Sequence, residues 1–143
     1  MKKIILTAAV GLFSTGMGFA QENANDLPKV ASDLIAQHFA DATIEKAEKN
    51  DSWYNFDKNE MYEVHLSNGT KLDFNKEGEI TEIDGTEAIP ENVLPENIFS
   101  YVGENYSGAE IVSWEMDDDE QEVKLSDGTE IEFDAEGNFI KED

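Results

Sequence analysis

The chain has 143 residues and a formal net charge of −23, which arises from 33 acidic residues, ten lysines and no arginine. Such a surface repels phosphate groups and anionic lipids. The composition therefore argues against nucleic acid and membrane partners, and it favours a basic partner or divalent cations. The simplest alternative is that the charge only keeps the protein soluble. The absence of cysteine excludes disulfides, thiol nucleophiles and cysteine metal sites.

Residues 1–20 have the pattern of a secretory signal peptide. "MKK" supplies the positive start, "IILTAAVGLF" the apolar core, and "GFA" the small residues before Gln21. No later apolar run approaches the length of a membrane span. We expect an exported protein, periplasmic or extracellular, whose mature chain has 123 residues, a net charge of −25 and a short N-terminal tail at 21–26.

The mature chain contains an internal repeat. Residues 63–78 and 122–137 are identical at nine of sixteen aligned positions. Upstream, residues 27–44 align with 94–111 at a different offset, so the first copy carries eight additional residues within "EKNDSWYNFDKNEMY". The predicted boundaries are a first repeat at 27–83, a polar linker at 84–93 and a second repeat at 94–143.

Each copy is predicted to begin with a helix. Pro28 and Pro95 suit the first helical turn, where the missing backbone donor costs nothing. Apolar side chains then recur at helical spacing in both copies. They are Val30, Ala31, Leu34, Ile35 and Phe39 in the first copy, and Ile98, Tyr101, Val102 and Tyr106 in the second.

Four strands are predicted after each helix. "YEVHL" and "KLDF" alternate apolar and polar side chains. Asn68-Gly69 and Asp127-Gly128 predict two-residue hairpin turns, in which both residues need a positive φ. The strands are predicted near 43–49, 60–66, 70–75 and 78–83, with 51–57 as a lengthened edge, and near 109–117, 120–125, 129–134 and 137–141.

A helix followed by a four-stranded antiparallel meander, present twice, makes the predicted fold α+β. The helix of each copy has an apolar sheet face to cover. A module of about 60 residues is marginal by itself. We therefore expect the two copies to share one sheet or an interface.

The acidic turns also permit a metal-binding interpretation. Twelve positions counted from Asp73 or Glu132 mimic the spacing of an EF-hand loop, with Gly78 and Gly137 at position six. An EF-hand needs flanking helices and a bidentate Glu at position twelve, whereas these flanks alternate like strands and position twelve is Asp. We predict hairpin turns without a metal site, and weak calcium binding is the alternative.

The sequence contains no recognisable catalytic constellation. His38 and His65 are the two histidines, and neither belongs to a Ser-His-Asp group or to a cluster with metal-ligand spacing. The motifs of nucleophile elbows, zinc proteases and phosphate loops are absent. We predict a protein that is not an enzyme and has no cofactor; a small hydrolase is the least favoured alternative.

Bulky side chains outside the helical stripes indicate a binding surface. Trp114 and Met116 alternate along one strand on the side opposite Ile111. Aromatic and methionine side chains on a sheet face away from its helices are typical of interface anchors. The alternative is that these side chains seal the junction between the two modules. The predicted partner-binding residues are Trp53, Tyr54, Met61, His65, Trp114 and Met116.

The pattern "LP…F…A.I" leading into "V.LS.GT.l.F...G", present twice after a signal peptide, resembles the PepSY-like family of exported bacterial proteins, also described as β-lactamase-inhibitor-like. The resemblance covers nearly all of residues 27–143. It implies antiparallel sheets side by side, helices on one face and an open concave face on the other. In the inhibitor family that face grips a protein partner, and the resemblance carries no catalytic or metal motif.

Together these observations predict a non-enzymatic exported protein that binds a protein or peptide through the open face of its sheet. A basic partner is favoured by the charge. The fold-level analogy adds a role as inhibitor or regulator of a peptidase or another envelope enzyme.

Overall fold

The computed structural model describes residues 26–50 and 61–143. The signal peptide, Trp53, Tyr54 and the edge strand predicted at 51–57 lie outside these residues. The described elements, in chain order, are α1 (Lys29–His38), β1 (Ile44–Lys49), β2 (Tyr62–Leu66), β3 (Lys71–Phe74), β4 (Ile80–Asp84), α2 (Glu96–Asn105), β5 (Ile111–Asp117), β6 (Glu120–Leu125), β7 (Glu130–Asp134) and β8 (Phe139–Glu142).

The eight strands form one antiparallel sheet in which every strand pairs with its neighbours in sequence. The two halves of the chain meet at β4 and β5, where Ile83 pairs with Trp114. The polar segment 84–93 runs alongside this junction, and the amide of Ile89 donates to the carbonyl of Ile111 at 2.8 Å. The prediction of an α+β fold is confirmed.

Both helices cover the same face of the sheet. Ala31 and Ile35 of α1, and Ile98 and Val102 of α2, are buried against it. Strand register lines up a buried residue from each of seven strands beneath them. These residues are Ala47, Val64, Leu72, Ile83, Trp114, Val123 and Ile131. Their burial, about 1.5–3 kcal/mol for each large apolar side chain, is the main stabilising term.

The helix starts differ slightly from the prediction. Pro28 and Pro95 stand immediately before the first helical residue, with extended ψ values of 144° and 134°, instead of within the first turn. Val30, predicted on the apolar stripe, is 56% exposed because α1 presents Ala31 and Ile35 to the sheet. Among the described residues, no helix has the length and hydropathy needed to cross a membrane.

The hairpin turns are longer than predicted. Leu66 and Thr70 close the β2–β3 connection through a 2.9 Å hydrogen bond, which leaves three residues in the loop. Only Gly69 has a positive φ there, +85°, and Gly128 repeats this at +92°. A type I turn followed by a left-handed glycine explains both loops, so the expectation that Asn68 and Asp127 also have positive φ was wrong.

Candidate binding face

On the sheet face opposite the helices, the described strand residues are mostly polar or charged. Successive residues of a strand point to opposite faces, so the residues next to the buried ones in sequence lie on this side. Neither described helix packs against it. We call it the open face, and its residues are those at alternate positions of the strands, such as Glu63 and His65 of β2.

Seven strands each contribute one carboxylate to a single row across the open face. The register pairs each of these residues with the acid on the next strand. Neighbouring strands are about 4.8 Å apart, so the row extends for roughly 29 Å. We call it the acid row. Its members are Glu48, Glu63, Asp73, Glu82, Glu115, Glu122 and Glu132, and it ends at Lys141 on β8.

A second row of residues runs beside the acid row and contains most of the cationic groups of this face. We call it the mixed row. Its members are Lys46, His65, Lys71, Asp84, Ser113, Lys124 and Glu130. On the other side of the acid row, the strands β5, β6 and β7 add three further acids, Asp117, Glu120 and Asp134.

Among the described residues, lysines form ion pairs with several members of the acid row. Lys46 pairs with Glu48 at 2.8 Å, and Lys141 pairs with Glu132 at 2.8 Å. Most of these partners are substantially exposed to solvent, and such pairs contribute little stability. Like charges directly opposite one another on neighbouring strands are destabilising.

Asp73 is the one fully buried member of the acid row, with 2% of its surface exposed. Its Oδ2 lies 2.8 Å from the Lys71 ammonium, so the buried carboxylate has a charged partner. Burial raises the pKa of the Asp73 carboxyl to about 7, and the Glu82 carboxylate adds to the increase while Lys71 opposes it. Burial alone would lower the pKa of Lys71, but Asp73 and Glu82 raise it above its usual value.

Of the predicted partner-binding residues, His65 lies on the open face. Its Nε2 is 2.6 Å from Oε1 of Glu63, a member of the acid row. Met61 precedes β2, and strand alternation places it on the same side. The roles of Met61 and His65 in binding stay predictions, as do those of Trp53 and Tyr54.

The predicted placement of Trp114 is wrong. Only 3% of its surface is exposed, and it lies under the helices, paired with Ile83 and Val123. The cause is a bulge in β5 between Ile111 and Ser113. An additional residue at a bulge shifts the alternation by one, so Ile111 and Trp114 share a face that a regular strand would divide between them.

Met116 follows Trp114 onto the side of the helices, so its predicted placement on the open face is also wrong. It pairs with the buried Gln121 and is itself 40% exposed. With Val30, Leu34 and Ile80 it lines a groove of about 570 Å³ between α1 and the ends of β4 and β5.

The acidic turns use their oxygen atoms to shape the hairpins. Oδ1 of Asn75 accepts from the amides of Glu77 and Glu79 at 3.0 and 2.9 Å. Oδ1 of Asp134 accepts from the amide of Asn138 at 2.8 Å. Strands flank both turns, as predicted. Across residues 26–50 and 61–143, no group of three or more potential ligands is arranged to hold a metal ion.

The acid row, the defining feature of this face, was not predicted from the sequence. The signal was present, because the repeat alignment pairs Glu63 with Glu122 and Asp73 with Glu132. Strand alternation puts both pairs opposite the apolar residues. What could not be read was the register between strands, which turns scattered acids into a continuous row.

A family model described as "Putative beta-lactamase-inhibitor-like, PepSY-like" matches residues 60–141. This match spans more than half of the chain, and the chain belongs to the PepSY-like family. No curated protein matches the chain.

Three solved structures of Bacteroides proteins are similar to the chain. One, from Bacteroides thetaiotaomicron and described as a "putative calcium-regulated periplasmic protein", is 34% identical with a TM-score of 0.75, and the alignment covers 83% of this chain and 91% of that chain. Another, from Bacteroides vulgatus and described as a "putative periplasmic protein" of the DUF2874 family, is 38% identical with a TM-score of 0.74 and the same coverages. The third, a Bacteroides vulgatus "putative periplasmic protein of unknown function", is 32% identical with a TM-score of 0.73, covering 85% and 95%.

Proposed function

We propose that this PepSY-like protein is an exported, non-enzymatic binding protein that holds a basic protein or peptide segment on the open face of its sheet. The observation that carries the proposal is the acid row, seven carboxylates paired strand by strand across one face. A cationic segment placed along this row would relieve the repulsion between neighbouring carboxylates. Binding would then regain free energy that the folded protein lacks when the row is unoccupied.

The location of the acids supports a functional origin. Residues that break a local folding rule concentrate at functional sites, because function and not stability retains them. A general need for solubility is met by acids anywhere on the surface, and it does not require them to stand directly opposite one another. The match between an acidic face and a basic partner also accelerates association and excludes acidic competitors.

Export to the periplasm is part of the proposal. Residues 1–20 have the composition of a signal peptide, and the three similar Bacteroides structures are described as periplasmic. We also attribute the two successive helix-plus-four-strand units to tandem duplication of one module. Inhibition or regulation of a peptidase or another envelope enzyme would follow if the basic segment belongs to that enzyme.

The experiment measures the binding of a decalysine peptide to the mature chain by isothermal titration calorimetry. Neutralising Glu82, Glu115 and Glu122 together, each to Gln, removes three members of the acid row without changing side-chain size. The matched control neutralises Glu91, Glu96 and Glu104, which are exposed and lie outside the sheet. We expect the acid-row variant to bind the peptide at least tenfold more weakly. The control variant should lose only the part of the affinity that follows from its smaller net charge. Equal losses in both variants would show that net charge alone attracts the peptide.

Calcium binding is the second candidate function. It is favoured by the similar Bacteroides thetaiotaomicron protein, which is described as "putative calcium-regulated". The acidic turns offer carboxylate oxygens, the ligands that calcium prefers. Titration with calcium and, separately, with magnesium tests it. A saturable heat with calcium that magnesium does not reproduce supports a calcium site, whereas equal and weak responses indicate screening of the acid row by any divalent ion.

A further inference from the structure

We infer that a pocket at the junction of the two repeats is a separate binding site, which takes one apolar side chain of a partner peptide that carries Lys or Arg beside it. We call it the junction pocket. Its lining includes the end of α1 and Ile83 of the buried row, so it lies on the helix side of the sheet. The inference therefore goes beyond the proposed function and does not depend on the acid row.

The size of the junction pocket indicates what it can hold. Five segments meet there: the end of α1, the β2–β3 turn, the end of β4, the linker that follows it and the start of β5. The volume is about 200 Å³, below the roughly 300–1,000 Å³ of pockets that enclose a whole small molecule. A pocket of this size suits a single side chain, which is how an anchor residue of a protein partner binds.

The linker between the repeats is fixed in place as one wall of the pocket. The amide of Gly85 donates to the carbonyl of Val112 at 3.1 Å, and Ile89 is bonded to the same strand at 2.8 Å. At the opposite side of the pocket, Nδ2 of Asn68 donates to Oε2 of Glu87 at 3.4 Å. The pocket is therefore formed before a ligand arrives, which reduces the entropic cost of binding.

The floor of the junction pocket is apolar. Phe39, Ile83 and Ile89 line it, and each has 7% or less of its surface exposed. An apolar side chain placed on this floor loses contact with water, which is favourable in proportion to the area buried. A charged group placed there would lose its hydration without an ionic partner. The floor therefore selects an apolar side chain.

Thr70 adds a hydroxyl to this floor, and only 6% of the residue is exposed. Its amide donates to Oδ1 of Asn68 at 3.1 Å and its carbonyl accepts from the amide of Leu66 at 2.9 Å. No hydrogen bond of its hydroxyl is found among the described residues. The hydroxyl lies next to Gly85, since a Cβ added to Gly85 would be 3.2 Å from Oγ1. A buried hydroxyl gains from a partner, and the backbone beside an inserted side chain supplies one.

The mouth of the junction pocket is acidic. Among the described residues, its lining contains the exposed carboxylates of Asp41 and Glu87, the imidazole of His38 and no lysine. A Lys or Arg next to the inserted side chain would meet these carboxylates, and an acidic peptide would be repelled. Such exposed charges contribute selectivity more than affinity. The charge of the mouth thus selects a basic peptide, and the floor supplies the contact that holds it.

The second repeat shows that the fold alone does not produce this pocket. Its corresponding corner is lined only by residues that end or follow α2 and by the β6–β7 turn. No linker segment forms a wall there. The repeat alignment also places Gly108 opposite Asp41. The closing wall and the acidic mouth are therefore particular to the first repeat.

The test titrates three amidated pentapeptides, KKLKK, KKSKK and EELEE, into the ¹⁵N-labelled mature chain and follows amide signals by NMR. We expect KKLKK to shift the signals of Gly85, Ile89 and Val112 in a saturable manner, with an affinity at least fivefold higher than that of KKSKK. EELEE should leave them unchanged. Shifts confined to strand residues of the open face, and equal for KKLKK and KKSKK, would overturn the junction pocket and leave the proposed function standing.

A pair of matched variants assigns the preference to the pocket. Ala42→Leu places a larger side chain in the lining, and Ala109→Leu makes the same change at the corresponding position of the second repeat. We expect Ala42→Leu to reduce the preference for KKLKK over KKSKK to about twofold or less, and Ala109→Leu to keep it. An unchanged preference in an Ala42→Leu protein that unfolds in urea like the parent would overturn the inference.

A charge variant keeps the test decisive if Ala42→Leu does not fold. Asp41→Asn combined with Glu87→Gln removes two exposed carboxylates of the mouth, and Glu91→Gln combined with Glu104→Gln removes two exposed carboxylates elsewhere. We expect the first pair to weaken KKLKK at the pocket signals about threefold more than the second. Equal effects would overturn the acidic mouth as the selecting feature. Pocket signals that shift with protein concentration in the absence of peptide would assign the pocket to a second copy of the chain and overturn the inference.

Discussion

Nε1 of Trp114 donates a hydrogen bond to Oε1 of Gln121 at 2.9 Å, and both side chains are buried beneath the helices. Nε2 of Gln121 in turn donates to the backbone carbonyls of Asp134 and Ala135, each at 3.1 Å. One amide side chain therefore connects β5, β6 and the end of β7. The tryptophan predicted to bind a partner belongs instead to the internal polar network of the core.

Changing Gln121 to Leu is expected to destabilise the protein by about 1–3 kcal/mol, because the indole nitrogen and two carbonyls lose their partner inside the core. Trp114→Ala is expected to cost more, about 3–5 kcal/mol, because it also leaves a cavity. Urea unfolding measures both. Met116→Ala is the control. Met116 lies on the same strand but is 40% exposed, so a smaller loss of stability is expected. A Trp114→Ala protein as stable as the parent would contradict the buried placement.

Changing Glu122 to Gln is expected to stabilise the free protein by about 0.5 kcal/mol, because Glu122 pairs with Glu115 on one side and Glu132 on the other. The gain should diminish at 1 M salt, where surface charges are screened. Thermal unfolding at low and high salt measures it. Glu104→Gln on α2 serves as the control of equal charge change. A loss of stability specific to Glu122→Gln would mean that this carboxylate forms a favourable interaction.

Asp73 is expected to make stability depend on pH between about 4 and 7. Its pKa is raised to about 7 in the folded protein and is about 3.9 in an unfolded chain. The folded state therefore binds the proton more tightly, so this stabilising contribution is complete below pH 4 and is lost as the pH rises through 7. Lys71 keeps its proton throughout this range, since its pKa is raised.

Asp73→Asn imitates the protonated carboxyl at every pH. Relative to the parent, we expect it to gain on the order of 2 kcal/mol at pH 8 and close to nothing at pH 4. Chemical denaturation at several pH values measures the difference, and Asp84→Asn on the same face is the control for the loss of one carboxylate. A variant that becomes less stable relative to the parent as the pH rises would show that the ion pair with Lys71 outweighs burial.

Gly78→Ala is expected to cost more than Gly69→Ala, although both glycines have a φ of +85°. Each substitution carries the penalty of a left-handed residue, about 1–2 kcal/mol. At Gly78 the new Cβ would also lie 2.7 Å from Cβ of Pro28, at the start of α1, whereas nothing lies within 4 Å at Gly69. Overpacking adds about 1–3 kcal/mol. Equal losses in urea unfolding would indicate that α1 moves away freely.

The strands and helices were predictable because their signals are local. The alternation of "YEVHL" gave the covered side of β2 correctly, and Val64 and Leu66 are buried. The glycine turns were predicted in the right places, but the loop has three residues and Asn68 does not need positive φ. A dipeptide does not distinguish these loop types, because the closing hydrogen bond forms between residues outside it.

The candidate binding site was less predictable. A regular alternation places Ile111 and Trp114 on opposite faces, and one bulge in β5 brings them to the same face. Nothing in "EIVSWEMD" marks the bulge. Its position depends on how β5 pairs with β6 and on the fit of the indole under the helices.

The sequence by itself determined the fold class, the acidic charge and the apolar faces, since these follow from spacing and composition along the chain. The tertiary structure alone decided that seven separate acids become one row and that Trp114 is part of the core. The physical reason is that strand register and bulges are set by hydrogen bonds and packing between segments distant in sequence.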